Sequence, residues 1–314
     1  MSADILISGY VSLDRIVKID KEPQVGKTSI VQNKTNSDIF FGGCSVNISV
    51  ILAKLGVSVM PTLRVGSDYT STGFRAYLEN ANVNTSGIRI LDEDRTSNCY
   101  LLESEDGNHI TLFYPGAQDP KHFSPLCDEM FNGAKLAVLT VGAEPDNAEF
   151  LYRCKCNHVP LVFGMKTDTE AFPKALLTEV LQYAEIVFMN ESEETDIIET
   201  LELDSITDLF KIGNANILVV TKGNVGSTFW QKTTEGITSG DVGIVKAKRV
   251  LDTTGSGDAY MSGFLYGYLN QFSVADSCLL GSTTASFVIE EMGCTTNAPT
   301  LEALLNRYKE TKSE

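Results

Sequence analysis

Short apolar runs alternate along most of the chain with longer segments whose apolar residues recur at helical spacing. The apolar runs predict strands at residues 4–8, 57–65, 134–141, 159–163, 185–189 and 217–221. The helical spacing predicts helices at about 69–80, 145–157, 170–183, 258–270 and 275–292, and one that follows Gly42-Gly43 and ends at Gly56. Strands that alternate with helices across short connections form a mostly parallel sheet. The pattern therefore predicts a three-layer α/β fold, with helices on both faces of the central sheet.

A few segments interrupt this alternation. Residues 16–20 and 37–41 favour short strands, and residues 96–114 predict a hairpin with strands at 98–102 and 109–114. Its turn, Glu105-Asp106-Gly107-Asn108, has Asp-Gly at the centre, which supplies the positive φ that tight turns need. These segments predict short strands outside the alternating pattern.

Several polar and glycine residues follow predicted strands in the sequence. They are Asp14, Gly43, Asn190, Thr221 and Asp258. In open α/β sheets, ligands bind beyond the carboxyl ends of the strands. We therefore expect these residues to converge on one site.

The most informative stretch is residues 251–260, Leu-Asp-Thr-Thr-Gly-Ser-Gly-Asp-Ala-Tyr, between a predicted strand at 243–250 and a predicted helix. Gly255 and Gly257 would let an anion approach the free N–H groups of the helix start. Asp258 beside such a turn suits phosphoryl transfer, since the amides would hold the phosphoryl group while the carboxylate takes the proton of the attacking hydroxyl. The alternative is a capped turn, with Ser256 as the N-cap and Asp258 favoured by the helix dipole.

Other strand ends carry weaker motifs. Gly42-Gly43 before a helix, with Asn47 one turn in, would let a ligand approach the backbone and meet an amide, or would simply start the helix. Asn190 and Glu193 are either ligand groups or a helix cap. The segment Thr-x-Gly-x-x-Gly that begins at Thr221 is either a nucleotide-side loop or a hairpin turn, because a strand at 227–231 follows it.

The string Asp-Thr-Thr-Gly-Ser-Gly-Asp-Ala resembles the C-terminal signature of the ribokinase (PfkB) family of sugar and nucleoside kinases. The Gly-Gly-x-x-x-Asn segment resembles that family's N-terminal signature, and the two weaker motifs occur in the family's order. The resemblance extends from Gly9 to Thr300. It implies a ribokinase-like single domain spanning residues 1–314, with a small β-sheet lid built from about 10–41 and 95–117. It also implies an ATP-dependent kinase that acts on a primary hydroxyl.

The resemblance further implies roles for individual residues. Asp258 would be the catalytic base, and Gly255, Ser256 and Gly257 would form the anion hole. Asp14, Gly42, Gly43 and Asn47 would bind the acceptor. The nucleotide would contact Asn190, Thr221, Gly223, Gly226 and Asn297, while Glu193 would bind Mg²⁺ through water. The resemblance adds a monovalent cation such as K⁺ near Asp252 and a homodimer formed through the lid.

Composition narrows the choice of partners. The 314-residue chain has a formal net charge of −16, which disfavours nucleic acid as a partner, and no apolar run long enough to cross a membrane. Seven scattered cysteines and the lack of a basic, apolar leader favour a cytoplasmic protein. No Gly-x-x-x-x-Gly-Lys-Ser/Thr string occurs, which disfavours a P-loop kinase, and the dinucleotide fingerprint of an oxidoreductase is absent too.

Aromatic residues near the predicted acceptor site bear on the substrate. Phe40, Phe41, Phe113 and Tyr114 would offer stacking surface to a purine base, or would only pack the lid. We therefore expect a nucleoside such as adenosine as the acceptor, with a free sugar such as ribose or fructose as the alternative. A non-catalytic sugar or nucleoside sensor is a second alternative, which the retained Asp258 disfavours.

Overall fold

The computed structural model describes residues 3–104 and 109–313, and within them a sheet of eight strands runs through the molecule. The strands of the whole structure are β1 (Ile5–Ser8), β2 (Ser12–Ile19), β3 (Phe40–Gly42), β4 (Val59–Pro61), β5 (Arg64–Gly66), β6 (Arg89–Leu91), β7 (Asn98–Ser104), β8 (His109–Tyr114), β9 (Leu136–Leu139), β10 (Leu161–Gly164), β11 (Ala184–Asn190), β12 (Ile217–Thr221), β13 (Ser227–Thr233) and β14 (Gly236–Val242). The main sheet has the order β14-β13-β12-β11-β10-β9-β1-β4. Its strands are parallel from β4 to β12, and β13 and β14 extend it antiparallel.

Helices cover both faces of this sheet. They are α1 (Cys44–Lys54), α2 (Phe74–Asn80), α3 (Glu144–Cys156), α4 (Lys174–Tyr183), α5 (Glu191–Leu201), α6 (Leu209–Ile212), α7 (Ser256–Leu269), α8 (Val274–Val288) and α9 (Leu301–Ser313). Strand β1 shows why the short apolar runs are buried. Ile5 and Ile7 pack into the core that contains α1, α7 and α8, while Leu6 packs into the core that contains α3 and α4. Because successive side chains of a strand point to opposite faces, a strand covered on both sides needs a continuous apolar run. The predicted three-layer α/β architecture is confirmed.

A smaller sheet lies beside the main one. Within the described residues its order is β3-β2-β7-β8, with β2 and β7 parallel and both outer pairs antiparallel. The predicted hairpin is confirmed in its two strands, while its turn at residues 105–108 lies outside the described residues. The first strand of this sheet is longer than predicted and begins at Ser12, and the next begins at Phe40 rather than at residue 37.

Two predicted strands were wrong. The run at 57–65 divides into β4, an edge strand of the main sheet, and β5, which pairs with β6 in a separate two-stranded sheet. Residues 243–250 form no strand, because their backbone is bound by side chains of the helical layer. Val245 N–H donates to Ser282 Oγ (2.7 Å) and Lys248 N–H to Glu290 Oε1 (2.8 Å).

Helix boundaries also differ from the pattern. Helix α2 begins at Phe74 rather than at residue 69, after Gly73 with φ 83° and ψ −1°, and α4 begins at Lys174 after Pro173. Helix α9, at the end of the chain, was not predicted. None of the helices in the described part of the chain combines the length and hydropathy needed to cross a bilayer.

Candidate active site

A cavity of about 130 Å³ opens where four parallel strands meet the start of α7. Thr140 follows β9, Lys166 follows β10, Asn190 ends β11 and Thr221 ends β12, and all four line the cavity. Asp258 lines it from α7. The convergence expected at the carboxyl ends of the strands is therefore present for Asn190, Thr221 and Asp258.

The start of α7 is shaped by Gly255. This residue is the N-cap with φ 75° and ψ 4°, a left-handed conformation that favours glycine, and a Cβ on it would lie 2.7 Å from Cys294 Cβ. Ser256 lies inside the helix and is not the N-cap, so the predicted cap was wrong, while Asp258 lies in the first turn as that alternative expected. Its N–H donates to Thr253 O (3.2 Å). Helix α7 offers no acceptor to the next N–H groups, those of Gly257 and Asp258. Both residues line the cavity, where an anion would meet their amides.

Asp258 is held by a helix from the other end of the chain. Asn47 of α1 is 3% exposed, and its Nδ2 donates to Asp258 Oδ2 at 2.8 Å. Burial raises the pKa of Asp258, and the hydrogen bonds from Asn47 and Cys44 oppose that rise. A carboxylate with a raised pKa is a stronger proton acceptor than an ordinary one. Asn47 Oδ1 is buried, and no hydrogen-bond partner for it is found in the described part of the chain.

Cys44 begins α1 beside this carboxylate. Burial and the charge of Asp258 raise the pKa of the Cys44 thiol well above its usual range. A thiol with a raised pKa carries little thiolate, the reactive form. Cys44 is therefore a neutral neighbour of Asp258 rather than a nucleophile.

The acceptor-side residues lie where the small sheet meets α1. Asp14 of β2 accepts a hydrogen bond from Ser12 Oγ, and burial raises its pKa while that bond opposes the rise. A Cβ on Gly42 would lie 2.6 Å from Asp14 Oδ2, and one on Gly43, which has φ 92°, would lie 2.3 Å from Tyr10 O. Close contacts within the protein thus require both glycines, independently of any ligand.

Strand register sorts the four aromatic residues that were predicted near the acceptor. Phe40 pairs with Asp14, Asp14 with Cys99, and Cys99 with Phe113, so these side chains share one face of the small sheet. We call this face the Asp14 face. Phe113 also contacts Tyr10, with ring centroids 5.5 Å apart.

The other two aromatic residues serve packing. The Phe41 ring lies 5.3 Å from that of Phe74 and 4.8 Å from that of Tyr77. Tyr114 donates its hydroxyl to Asp94 Oδ1 at 2.6 Å. Both point away from the Asp14 face.

On the opposite side of the cavity, Asn190 and Glu193 form a capping box at the start of α5. Asn190 Oδ1 accepts from Glu193 N (2.9 Å), and Glu193 Oε2 accepts from Asn190 N (2.8 Å). Burial raises the pKa of Glu193, which is 7% exposed, and the Asn190 N–H opposes the rise. The helix-cap interpretation is therefore confirmed. It occupies one carboxylate oxygen of Glu193, whose side chain also lines the cavity.

Of the residues predicted to contact the nucleotide, Gly223, Gly226 and Asn297 do not line the cavity, whereas Thr221 and Asn190 do. Thr221 begins a hairpin from β12 to β13, closed by Lys222 N–H donating to Gly226 O (2.8 Å). A Cβ on Gly226 would lie 2.1 Å from Val242 O, so packing against β14 accounts for that glycine, whereas a Cβ on Gly223 would have no neighbour within 4 Å. Asn297 donates from Nδ2 to Phe287 O (2.7 Å), which fixes its side chain to the end of α8.

A family model for pfkB family carbohydrate kinases matches residues 4–301. The chain belongs to this family.

The pfkB-family assignment agrees with individual relatives. A nucleoside kinase of Methanocaldococcus jannaschii is 29% identical over 303 residues, which are 96% of this chain and 95% of that protein. A crystal structure of the nucleoside kinase from that organism superposes with a TM-score of 0.86 at 27% identity over 98% of both chains. Two further structures share the fold: Burkholderia thailandensis nucleoside kinase in complex with inosine (TM-score 0.86, 22% identity, 99% of both chains) and Arabidopsis thaliana ribokinase with ribose and ATP (TM-score 0.85, 20% identity, 98% and 99%).

This pfkB-family chain is thus an ATP-dependent kinase of ribokinase-like fold. Sequence patterns missed Lys166, which lines the cavity, and Cys294, which lies against the start of α7. Lys166 follows β10 at the same sheet edge as the expected residues. Its position just after a predicted strand could therefore have identified it from the sequence. Cys294 lies against Gly255, and burial, with the charges of Asp258, Asp14 and Asp252, raises its pKa to about 12. No sequence signal marked Cys294 as a neighbour of these three carboxylates.

Proposed function

We propose that this kinase transfers the γ-phosphoryl group of ATP to the primary hydroxyl of a nucleoside, with Asp258 as the base. The observation that carries the proposal is the Asp14 face. It places one carboxylate, suited to ribose hydroxyls, in register between the rings of Phe40 and Phe113, which are suited to a base. The nucleoside kinases among the relatives support this acceptor class.

Asn47 would connect acceptor binding to the base. Its Nδ2 donates to Asp258, and its buried Oδ1 needs a donor that the described residues do not supply. A buried acceptor without a partner is costly, so a substrate hydroxyl at this position would relieve the cost. Asn47 would then hold the hydroxyl beside the carboxylate that takes its proton.

The chemical step would use the start of α7. Asp258 would remove the proton of the acceptor hydroxyl as its oxygen bonds to the γ-phosphorus and the bond to the leaving diphosphate breaks. The N–H groups of Gly257 and Asp258 would hold the charge on the transferring group, with Gly255 and Ser256 shaping the turn. Thr221 and Gly223 would lie along the nucleotide, with Asn190 nearer the phosphates. Gly226 and Asn297 would support that side through the contacts described above.

Mg²⁺ fits the residues on the β11 side of the cavity. Mg²⁺ prefers oxygen ligands and keeps several waters, and Glu193 has one carboxylate oxygen outside the capping box. Glu193 would hold the ion through water, beside Asn190. When bound, the ion would neutralise charge on the phosphates. K⁺ near Asp252 stays a prediction. The two carboxylate oxygens of Asp252 accept hydrogen bonds from Thr254 N (2.9 Å) and Gly293 N (3.0 Å).

The small sheet would act as a lid on a single domain of residues 1–314, with the lid built from about 10–41 and 95–117. Its face opposite Asp14 exposes Tyr100 (41%), Ile110 (42%) and Leu112 (53%), which would suit a homodimer through the lid. Light scattering after size exclusion tests the dimer. A Leu112→Glu variant that leaves the mass of a dimeric parent unchanged would contradict this interface.

The acceptor is tested by measuring ADP release with adenosine, inosine, cytidine, ribose and fructose side by side. We expect a nucleoside to give the highest kcat/KM. The alternative is a free sugar, which the shared fold with a ribose-bound ribokinase favours. A kcat/KM for ribose or fructose well above that for every nucleoside would reject the nucleoside assignment and leave the kinase standing.

A further inference from the structure

Lys166 is the one basic side chain that lines the cavity within the described residues. It lies two positions beyond Gly164, the last residue of β10. A Cβ on Gly164 would lie 2.6 Å from Met261 Cε, so this strand end packs directly against α7, the helix that carries Asp258. The fold therefore brings a lysine that follows β10 into the same cavity as the first turn of α7.

The Lys166 side chain is exposed, and in the part of the chain that the structure describes its ammonium has no hydrogen-bond or salt-bridge partner. Its charge nevertheless reaches the groups around it. It lowers the pKa of Asp258, Glu193 and Cys44, in each case against a larger effect of burial. Lys166 is thus directed at the site while remaining available to a ligand.

A free ammonium group in this cavity matters because its other charged side chains are negative. The titratable acids that line it are Asp258 and Glu193, and the whole chain has a net charge of −16. A triphosphate adds further negative charge, and local positive groups must compensate where the global field repels. Helix amides supply only partial charges, so a full positive charge in the same cavity would complement them.

We propose that Lys166 is a catalytic residue whose ammonium contacts the γ-phosphoryl group during transfer, in the cavity that the first turn of α7 also lines. The inference rests on the proposed position of the phosphoryl group at the start of α7. Removing a hydrogen-bond donor that stabilises charge developing in the transition state lowers kcat by about 10²–10³-fold. Acceptor binding, on the Asp14 face, is not affected.

The kinetic test compares Lys166→Met, Lys166→Arg and the control Lys135→Met with the parent. Lys135 lies before β9, at the opposite end of the strands, and pairs with Asp4 at 2.8 Å on the surface. We expect Lys166→Met to lose about 10²–10³-fold in kcat, with the acceptor KM within about threefold. Lys166→Arg should recover at least about tenfold of that loss, and Lys135→Met should match the parent. A kcat for Lys166→Met within threefold of the parent would overturn the proposal.

A binding test is independent of turnover. Calorimetry would compare ADP with an ATP analogue that carries an imido group between the β- and γ-phosphates. We expect Lys166→Met to bind the analogue about tenfold or more weakly, with ADP affinity within about threefold of the parent. Equal losses for both ligands, or none for either, would refute a γ-phosphoryl contact. A parent without turnover on any acceptor would reject the proposed function, while this comparison would still decide the role of Lys166.

Discussion

Replacing Asn47 by alanine tests how the hydrogen bond from Asn47 affects the pKa of Asp258, the proposed base. Asn47 Nδ2 donates to Asp258 Oδ2 at 2.8 Å in a buried site, and this bond stabilises the ionised carboxylate. A hydrogen bond to a charged group contributes about 1.5–3 kcal/mol, and about 1.4 kcal/mol corresponds to one pKa unit. Losing the bond should therefore raise the pKa of Asp258 further above the level to which burial already raises it.

The direction of the effect on rate follows from the role of Asp258. A base works only when ionised, so kcat/KM falls on the acid side as pH drops through the pKa of the free enzyme's base. In Asn47→Ala the acid limb of the kcat/KM profile should move up by about one to two pH units. The plateau at high pH should also fall, because Asn47 Oδ1 no longer holds the acceptor, but this loss is independent of pH.

Ser49→Ala is the matched control. Ser49 is a fully buried residue of the same helix, and its hydroxyl donates to Ser45 O at 2.6 Å. Its removal should leave the position of the acid limb unchanged. An Asn47→Ala profile whose acid limb coincides with that of the parent, at any plateau height, would refute the coupling between Asn47 and the base.

Three other predictions concern proton transfer by Asp258, the requirement for Mg²⁺ and the stability of the fold. Asp258→Asn should lower kcat by about 10²–10⁴-fold while calorimetry shows nearly unchanged acceptor binding, and a rate within twofold of the parent would reject its role as base. Turnover should disappear in excess chelator and return with added Mg²⁺, so full activity in chelator would argue against a required divalent ion. Arg64→Met should lower the free energy of unfolding in urea by about 3–5 kcal/mol. Arg64 is 1% exposed, pairs with Asp146 and donates to Ala117 O (2.7 Å). Arg75, whose ion pair with Glu79 is exposed, offers the control. Arg75→Met should lower the free energy of unfolding far less than Arg64→Met, and equal losses would contradict the burial argument.

The sequence was most informative where structure depends on local chemistry. The glycine turn before α7, the start of α1 after Gly43 and the hairpin strands of the small sheet were all predictable, because periodicity and turn residues act within a few positions. The convergence of Asn190, Thr221 and Asp258 was predictable too. It follows from a general property of parallel sheets rather than from a particular contact.

What could not be predicted depends on partners distant in the chain. Residues 243–250 have the composition of a strand, but helix α8 supplies Ser282 Oγ to the N–H of Val245 in place of a neighbouring strand. The hydrogen bond between Asn47 and Asp258 joins two residues that are 211 positions apart in the chain. Phe40 and Phe41 differ in role only through strand register, which the sequence does not reveal.

That register has a consequence for how the acceptor preference could change. Side chains alternate between the two faces of a strand, so a shift of β3 by one residue relative to β2 would turn Phe40 away from the Asp14 face and bring Phe41 onto it. The ring beside Asp14 is thus selected by chain length as well as by residue identity. Inserting or deleting one residue at β3 would therefore change which ring lies beside Asp14, an effect that no single substitution in β3 produces by changing the register.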